Sequence, residues 1–176
     1  MKVLFVNACV REEESRTLAL CQTFLESIKE KEPQLTIKEV EISKEKLKPI
    51  DKNLLYLRED LLKKGQWQEL LLRYACEFAA SDFIIIGAPY WDLSFPALLK
   101  VYLEYVSISG LTFRYTEQGS VGLCNAHRMM YISTAGGMVP KPHLGEAYCR
   151  DLGQMFGIRQ FDSFCLSGLD LSLIHI

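Results

Sequence analysis

Three short segments of the sequence carry residue types that suit a ligand with a phosphate group and a flat ring. They read NACVREEESRT, APYWDLSFP and STAGGM, and each follows an apolar run that predicts a buried β-strand. The first offers hydroxyls and guanidinium groups, the second two adjacent aromatic rings, and the third two adjacent glycines. These groups suit, in turn, a phosphate, a planar heterocycle and close approach of the backbone to a ligand.

The first segment predicts an anion site at the start of a helix. Ser15 and Thr17 stand where the amphipathic stretch TLALCQTFLESIKEK begins, and a helix N-terminus offers free N–H groups and a positive dipole end. Arg11 and Arg16 add positive charge, but no glycine is present, so neither GxGxxG nor a P-loop is matched. Taken alone, an ordinary capped helix behind a solvated acidic loop, residues 12–14, is the favoured alternative.

The second and third segments predict the walls of a ring site. Tyr90 and Trp91, with Leu93 close by, would flank a planar heteroaromatic ligand. The glycines of residues 134–138 would let backbone N–H groups of residues 135–137 face the edge of that ring. The alternatives are aromatic side chains that fill the core or an interface, and a tight turn at the glycine pair.

The elements around these segments predict one α/β domain with a parallel sheet. Strand-like runs (KVLFV, LTIKEVEI, DFIIIG, HRMMYIST and RQFDSFCLSG) alternate with stretches of helical period. Ser94 is the expected N-cap of the helix after Trp91, and Gly157 is the expected residue just past the last helix. Ligands of such sheets bind at the carboxyl ends of the strands, where the strand order reverses, so the three segments should meet. A phosphate joined to a planar redox ring describes FMN.

Composition and charge exclude several other classes of function. The net charge of −2 with no basic stripe argues against a nucleic-acid partner. We expect neither a membrane partner nor a secretion signal, because no apolar stretch is long enough, and hence a cytoplasmic location. The six cysteines are scattered without a CxxC pair, and the histidines show no ligand spacing with them. We therefore expect reduced thiols and no metal site.

One long stretch of the sequence resembles a known family. GAPYWDLSFPALLKVYLEYVSISGLTFRYTEQGSVGL is similar to the corresponding part of the FMN-dependent NADH-azoreductases and related NAD(P)H:quinone oxidoreductases of flavodoxin-like fold. The most specific part is the FRYTEQG core, residues 113–119, followed by Gly122 and Leu123. The resemblance runs from Lys2 to about Leu166 and is strongest over residues 82–137.

The resemblance implies a fold and a set of site residues. The fold is a three-layer flavodoxin-like sandwich with a five-stranded parallel sheet of order 2-1-3-4-5, formed by one domain over residues 1–176. The implied cofactor-binding residues are Cys9, Ser15, Arg16 and Thr17 in the phosphate loop, Pro89, Tyr90, Trp91, Asp92 and Leu93 in the first ring loop, and Thr134, Ala135, Gly136 and Gly137 in the second. The family implies a homodimer, in which Phe113 and Tyr115 line the substrate pocket of the neighbouring subunit.

The chain departs from the family at several positions. Cys9, Asp92 and Ala135 stand where the family often has serine, asparagine and arginine. Family members continue after the last strand with a covering helix, whereas this sequence ends LSGLDLSLIHI. We therefore expect that helix to be absent, residues 168–176 to be a truncated or non-native tail, and one face of the sheet near the last strand to be uncovered.

The implied activity is the transfer of a hydride from NADH or NADPH through FMN to a quinone, azo or nitroaromatic acceptor. The cofactor carries the bond chemistry, so no side-chain acid or base is assigned as catalytic. Two alternatives remain open: a flavodoxin-like electron carrier that a protein partner reduces, and a flavin-free regulatory module that keeps only the fold.

Overall fold

The computed structural model describes residues 1–171, and within them five α-helices and two β-sheets. The strands of the larger sheet are β1 (Lys2–Asn7), β2 (Thr36–Glu41), β3 (Phe83–Gly87), β6 (Arg128–Thr134) and β7 (Gln160–Leu166). The helices are α1 (Arg16–Lys31), α2 (Lys52–Lys64), α3 (Leu70–Ala79), α4 (Ala97–Val106) and α5 (Leu144–Met155). A smaller sheet is the hairpin of β4 (Phe113–Thr116) and β5 (Gly119–Gly122).

The larger sheet is parallel throughout and has the order β2-β1-β3-β6-β7. Counted within this sheet, the order is 2-1-3-4-5, as predicted, so the flavodoxin-like fold is confirmed. The central strands β1 and β3 are almost wholly buried, which explains why their sequences are continuous apolar runs.

Alternate residues of the central strands enter two separate cores. Val3 and Phe5 of β1 pack with Cys21 and other residues of α1 on one face. Leu4 and Val6 pack on the other face with α3, α4 and α5. This alternation follows from the period of a strand and produces the predicted three layers, with the sheet between α1 and the remaining helices.

The hairpin of β4 and β5 is an element that the strand and helix patterns do not predict; its sequence contains the FRYTEQG motif of the family resemblance. A two-residue turn joins Thr116 to Gly119, and the Thr116 hydroxyl donates to the Gly119 carbonyl oxygen at 2.8 Å. Gly119 has φ of +118°, a conformation that side chains disfavour. The alternation of FRYT followed by a glycine was the available signal.

The segment after β7 bears on the predicted absence of a covering helix. Residues 168–171 run back along the loop that follows β6, while residues 172–176, on which part of that prediction falls, lie outside the described residues. On the α1 face, a groove of about 400 Å³ lies beside β6 and β7; its lining includes Leu20, Phe24, Met130, Ile132 and Phe164. No helix within residues 1–171 is long and apolar enough to cross a membrane.

Candidate functional site

The carboxyl ends of β1, β3 and β6 bring the three segments singled out by sequence into one cleft. These strands are aligned so that Asn7 lies beside Gly87, which lies beside Ile132. The cleft has a volume of about 270 Å³. Its lining residues are Arg11, Glu14, Ser15, Arg16, Thr17, Pro89, Tyr90, Trp91, Thr134, Ala135, Gly136 and Asp170.

One end of the cleft is the N-terminus of α1. Ser15 caps the helix, and its hydroxyl oxygen accepts from the Leu18 N–H at 3.2 Å. The N–H groups of Arg16 and Thr17 belong to the first turn and have no intrahelical acceptor. They point their partial positive charge toward the space before the helix, where an anion is stabilised.

A carboxylate of the chain itself already lies at this end. Asp170 Oδ1 is 2.7 Å from Arg16 Nη2, and both side chains are about half exposed. The Asp170 N–H donates to the Gly136 carbonyl oxygen at 2.9 Å. The other carboxylate oxygen lies against Gly136 so closely that a Cβ there would be 2.0 Å from it. A side chain at position 136 would therefore displace the Asp170 carboxylate, and the Arg16 guanidinium already binds an anionic partner.

Arg11 and Glu14 form the outer rim of this end. Arg11 Nη2 and Glu14 Oε2 are 3.7 Å apart, and both side chains are exposed. The acidic residues 12–14 were expected to lie in solvent; they are exposed, yet Glu14 also lines the cleft. Its carboxylate thus adds negative charge near the helix N-terminus, which the Arg11 guanidinium partly balances.

Tyr90 and Trp91 form the aromatic side of the cleft. The Tyr90 N–H donates to the Thr134 carbonyl oxygen at 3.0 Å, which ties this loop to the end of β6. Asp92 and Leu93 follow with φ of +47° and +69°, the signature of a type I′ turn. Ser94 closes that turn by pairing its backbone with Trp91. The prediction of Ser94 as helix N-cap is therefore wrong, since α4 begins only after Pro96.

The loop after β6 is held by the segment that follows β7. The Ala135 N–H donates to the Leu166 carbonyl oxygen at 2.9 Å. The carbonyl oxygens of Ala135, Gly136 and Gly137 accept from residues 169, 170 and 168, respectively. The expectation that all three N–H groups face a ligand is wrong for Ala135, because its N–H extends the pairing of β6 with β7. The N–H groups of Gly136 and Gly137 remain as candidates.

Comparison with known proteins agrees with this architecture. A family model described as flavodoxin-like fold matches residues 1–174. An FMN-dependent NADH:quinone oxidoreductase of Clostridium perfringens is 38% identical over 185 residues, spanning 99% of this chain and 90% of the relative. The chain belongs to this flavodoxin-like oxidoreductase family. A second FMN-dependent NADH:quinone oxidoreductase, from Clostridium acetobutylicum, is 34% identical and spans 97% of this chain and 88% of the relative.

A solved member of the flavodoxin-like fold superposes closely. The azoreductase from Bacillus anthracis aligns with a TM-score of 0.87 at 26% identity, covering 99% of this chain and 90% of that chain. The resemblance inferred from the FRYTEQG region is confirmed by these matches.

Several predicted site residues of this flavodoxin-like chain do not line the cleft. Asp92, Leu93 and Gly137 adjoin it but are exposed. Cys9 is buried, its N–H donates to Asn7 Oδ1 at 2.9 Å, and its thiol faces the Gly87 carbonyl oxygen. Burial raises the pKa of the Cys9 thiol to about 11, so it is a neutral structural group.

The two predicted substrate-pocket residues lie at the other end of the molecule. Phe113 packs against Phe156, just after α5, with ring centroids 6.3 Å apart, and Tyr115 packs on Phe113. The cleft lies near the start of α5, a helix of 12 residues that is about 18 Å long. Neither side chain reaches the cleft of its own subunit, so their contribution to a neighbouring site stays a prediction.

Asp170 is the cleft residue that sequence reasoning missed. It lies in the segment after β7, the strand next to β6 in the sheet. Ligands bind at the carboxyl ends of strands, and the segment after the fifth strand reaches the same edge of the sheet as the loops after the first, third and fourth. The position of Asp170 just past that strand is therefore the signal in the sequence that indicates this residue.

Proposed function

We propose that this protein is an FMN-dependent oxidoreductase that transfers a hydride from NADH or NADPH to a quinone or azo acceptor. The observation that carries the proposal is the arrangement of one cleft. An anion-binding helix N-terminus and an aromatic wall meet there, together with a glycine loop. The curated relatives that bear the name FMN-dependent NADH:quinone oxidoreductase support this assignment across nearly the full chain.

The residues at the N-terminus of α1 fit the phosphate of FMN. Ser15, Arg16 and Thr17 supply a capping hydroxyl, a guanidinium and two free N–H groups. The Arg16 side chain already binds a carboxylate, that of Asp170, which has the charge sign and hydrogen-bonding character of a phosphate oxygen pair. Arg16 is thus the residue that we expect to change partner when the cofactor binds.

The remaining lining fits the flavin ring. Tyr90 and Trp91 provide aromatic surface for a planar heterocycle. The N–H groups of Gly136 and Gly137 can donate to polar atoms at the ring edge, and such fixed donors stabilise negative charge that develops there. When bound, FMN supplies the hydride transfer itself; the chain binds it, orients it and shields one side from water.

We propose a homodimer in which the partner completes each cleft. The volume of about 270 Å³ lies just below the ~300 Å³ at which ligand pockets typically begin. Trp91 and Leu93 expose 41% and 63% of their surface beside it, and Tyr115 exposes 74% at the far end of the molecule. A second copy placing its Tyr115 hairpin over the exposed pair would cover all three residues. Six free thiols further suit a reducing, cytoplasmic location.

Cofactor binding tests this function most simply. FMN fluorescence is titrated with the purified protein and with the variant Arg16→Gln, and Arg159→Gln, an exposed arginine away from the cleft, serves as the matched control. We expect saturable quenching for the protein and the control, and weaker binding for Arg16→Gln. Absence of any quenching by the protein would reject the flavin site and favour a regulatory module without cofactor.

A further inference from the structure

A buried histidine stands directly behind the aromatic wall of the cleft. His143 is only 4% exposed, and its ring meets the Tyr90 ring edge-to-face with centroids 5.2 Å apart and planes at 82°. Tyr90 itself lines the cleft. The imidazole therefore supports the ring against which the flavin is proposed to lie, although His143 does not line the cleft.

The hydrogen bonding of His143 requires the neutral imidazole. His143 is the N-cap of α5, and its Nδ1 accepts from the Glu146 N–H at 3.3 Å. Nδ1 must be unprotonated to accept, so the proton of the neutral ring is on Nε2. A second proton would abolish this cap and place a cation at the positive end of the α5 dipole.

The His143 ring is closely packed. Nε2 is buried and has no hydrogen-bond partner within residues 1–171. Gly145 lies against the same ring: a Cβ there would be 3.3 Å from His143 Cε1, 3.0 Å from Tyr131 Oη and 3.1 Å from Phe95 Cδ1. Protonation would therefore have to move His143, and with it Tyr90 or the start of α5.

The charged groups around His143 act in opposite directions. The Glu146 carboxylate favours the protonated ring, but it is paired with Arg150 at 2.6 Å, and Lys141 opposes protonation. Burial, the largest effect, and Lys141 together outweigh the Glu146 carboxylate, so the pKa of His143 is lowered. Tyr131, whose ring centroid lies 5.6 Å from that of His143, stays neutral because burial raises its pKa, and burial likewise raises the pKa of Cys165 on the neighbouring strand β7.

We propose that neutral His143 is a positioning residue that holds Tyr90 against the FMN site, and that acidification releases Tyr90 and weakens FMN binding. This inference rests on the proposed function. The direction of the pH dependence follows from the hydrogen bond, because only the neutral His143 ring can accept from the Glu146 N–H. FMN affinity is therefore highest above the pKa of His143 and is lost as the pH falls through it.

FMN dissociation constants measured between pH 4 and pH 8 test the proposal, because burial lowers the pKa of His143 and so places the expected loss of affinity toward the acid end of this range. The phosphate of FMN titrates in the same range, so the wild type is compared with His143→Asn, whose amide oxygen can still cap α5 but cannot titrate. His127→Asn, at an exposed histidine, is the matched control. We expect wild type and His127→Asn to lose affinity more steeply on acidification than His143→Asn, by up to about tenfold per pH unit.

Identical pH profiles for wild type and His143→Asn would overturn the positioning role. Absence of FMN binding even at pH 8 would instead reject the proposed function. Should His143→Asn not fold, NMR titration of the flavin-free wild type decides. The proposal requires the Tyr90 ring resonances to shift with pH at the same midpoint as those of the His143 imidazole. Tyr90 resonances that do not shift at that midpoint would contradict it.

Discussion

The hydroxyl oxygens of Thr17 and Thr134 lie 2.7 Å apart in the protein interior. Thr17 belongs to the first turn of α1, and Thr134 ends β6, so this hydrogen bond joins the anion-binding end of the cleft to its glycine loop. Both residues are buried, and neither hydroxyl can be lost without leaving the other unsatisfied. The pair therefore couples the two halves of the proposed FMN site.

A double-mutant cycle with valine tests this coupling. Thr17→Val or Thr134→Val alone should lower the free energy of unfolding by about 1–3 kcal/mol, because each leaves one buried hydroxyl without a partner. The double variant should lose less free energy of unfolding than the sum of the losses in the two single variants. Urea denaturation measures all four proteins, and strictly additive losses would show that the two hydroxyls do not interact.

Asp170→Asn should tighten FMN binding. The Asp170 carboxylate competes with the phosphate for Arg16, and an exposed ion pair of this kind is worth up to about 1 kcal/mol, or about fivefold in affinity. Titration at low salt shows the effect best, since salt screens it. Asp60→Asn, which breaks a comparable exposed pair with Lys64 on α2, should leave FMN affinity unchanged; weaker binding by Asp170→Asn would contradict the competition.

Leu93→Gly should stabilise the flavin-free protein. Leu93 has φ of +69° and exposes 63% of its surface, so glycine removes left-handed strain and little buried area. After the entropy cost of glycine, we expect a gain of about 0.5–1 kcal/mol in thermal or urea unfolding.

The matched control for this turn is Leu57→Gly. Leu57 is also about half exposed but lies within helix α2, where glycine should cost about 1 kcal/mol. We expect the free energy of unfolding to rise in Leu93→Gly and to fall in Leu57→Gly. A loss of stability in Leu93→Gly would show that the Leu93 side chain contributes packing that outweighs its strain.

Cys9 should be unreactive in the folded protein despite its place in the phosphate loop. With a pKa of about 11, only about 0.1% of the thiol is ionised at pH 8, and the thiolate is the reactive form. Iodoacetamide labelling followed by mass spectrometry should modify the partly exposed Cys76 well before Cys9, and Cys9→Ser should retain FMN binding. Labelling of Cys9 as fast as Cys76 would contradict its burial.

The central sheet was predictable from sequence because its strands are buried on both faces. A run such as DFIIIG is typical of a strand that is buried on both faces. The alternation of such strands with helices then predicts a parallel sheet. The same logic brought Ser15, Tyr90 and Gly136 to one edge, since the carboxyl ends of neighbouring strands must meet.

The errors concern the hydrogen-bond partners of individual groups. The Ala135 N–H is taken by Leu166, and Ser94 closes a turn with Trp91 instead of capping α4. Asp170 reaches Arg16 across 154 positions of the chain. His143 was noted as one of three histidines without ligand spacing, and only its packing on Tyr90 reveals a role. Periodicity reports which face a residue lies on, but not which hydrogen bond it makes.

Anaerobic reduction of the FMN-loaded protein tests the central claim most directly. The visible flavin absorption is followed after NADH alone is added, and then after a benzoquinone is added. We expect the flavin band to bleach with NADH, without any partner protein, and to return when the quinone is reduced. A bound flavin whose absorption persists with both NADH and NADPH would contradict the proposed oxidoreductase and favour an electron carrier that a protein partner reduces.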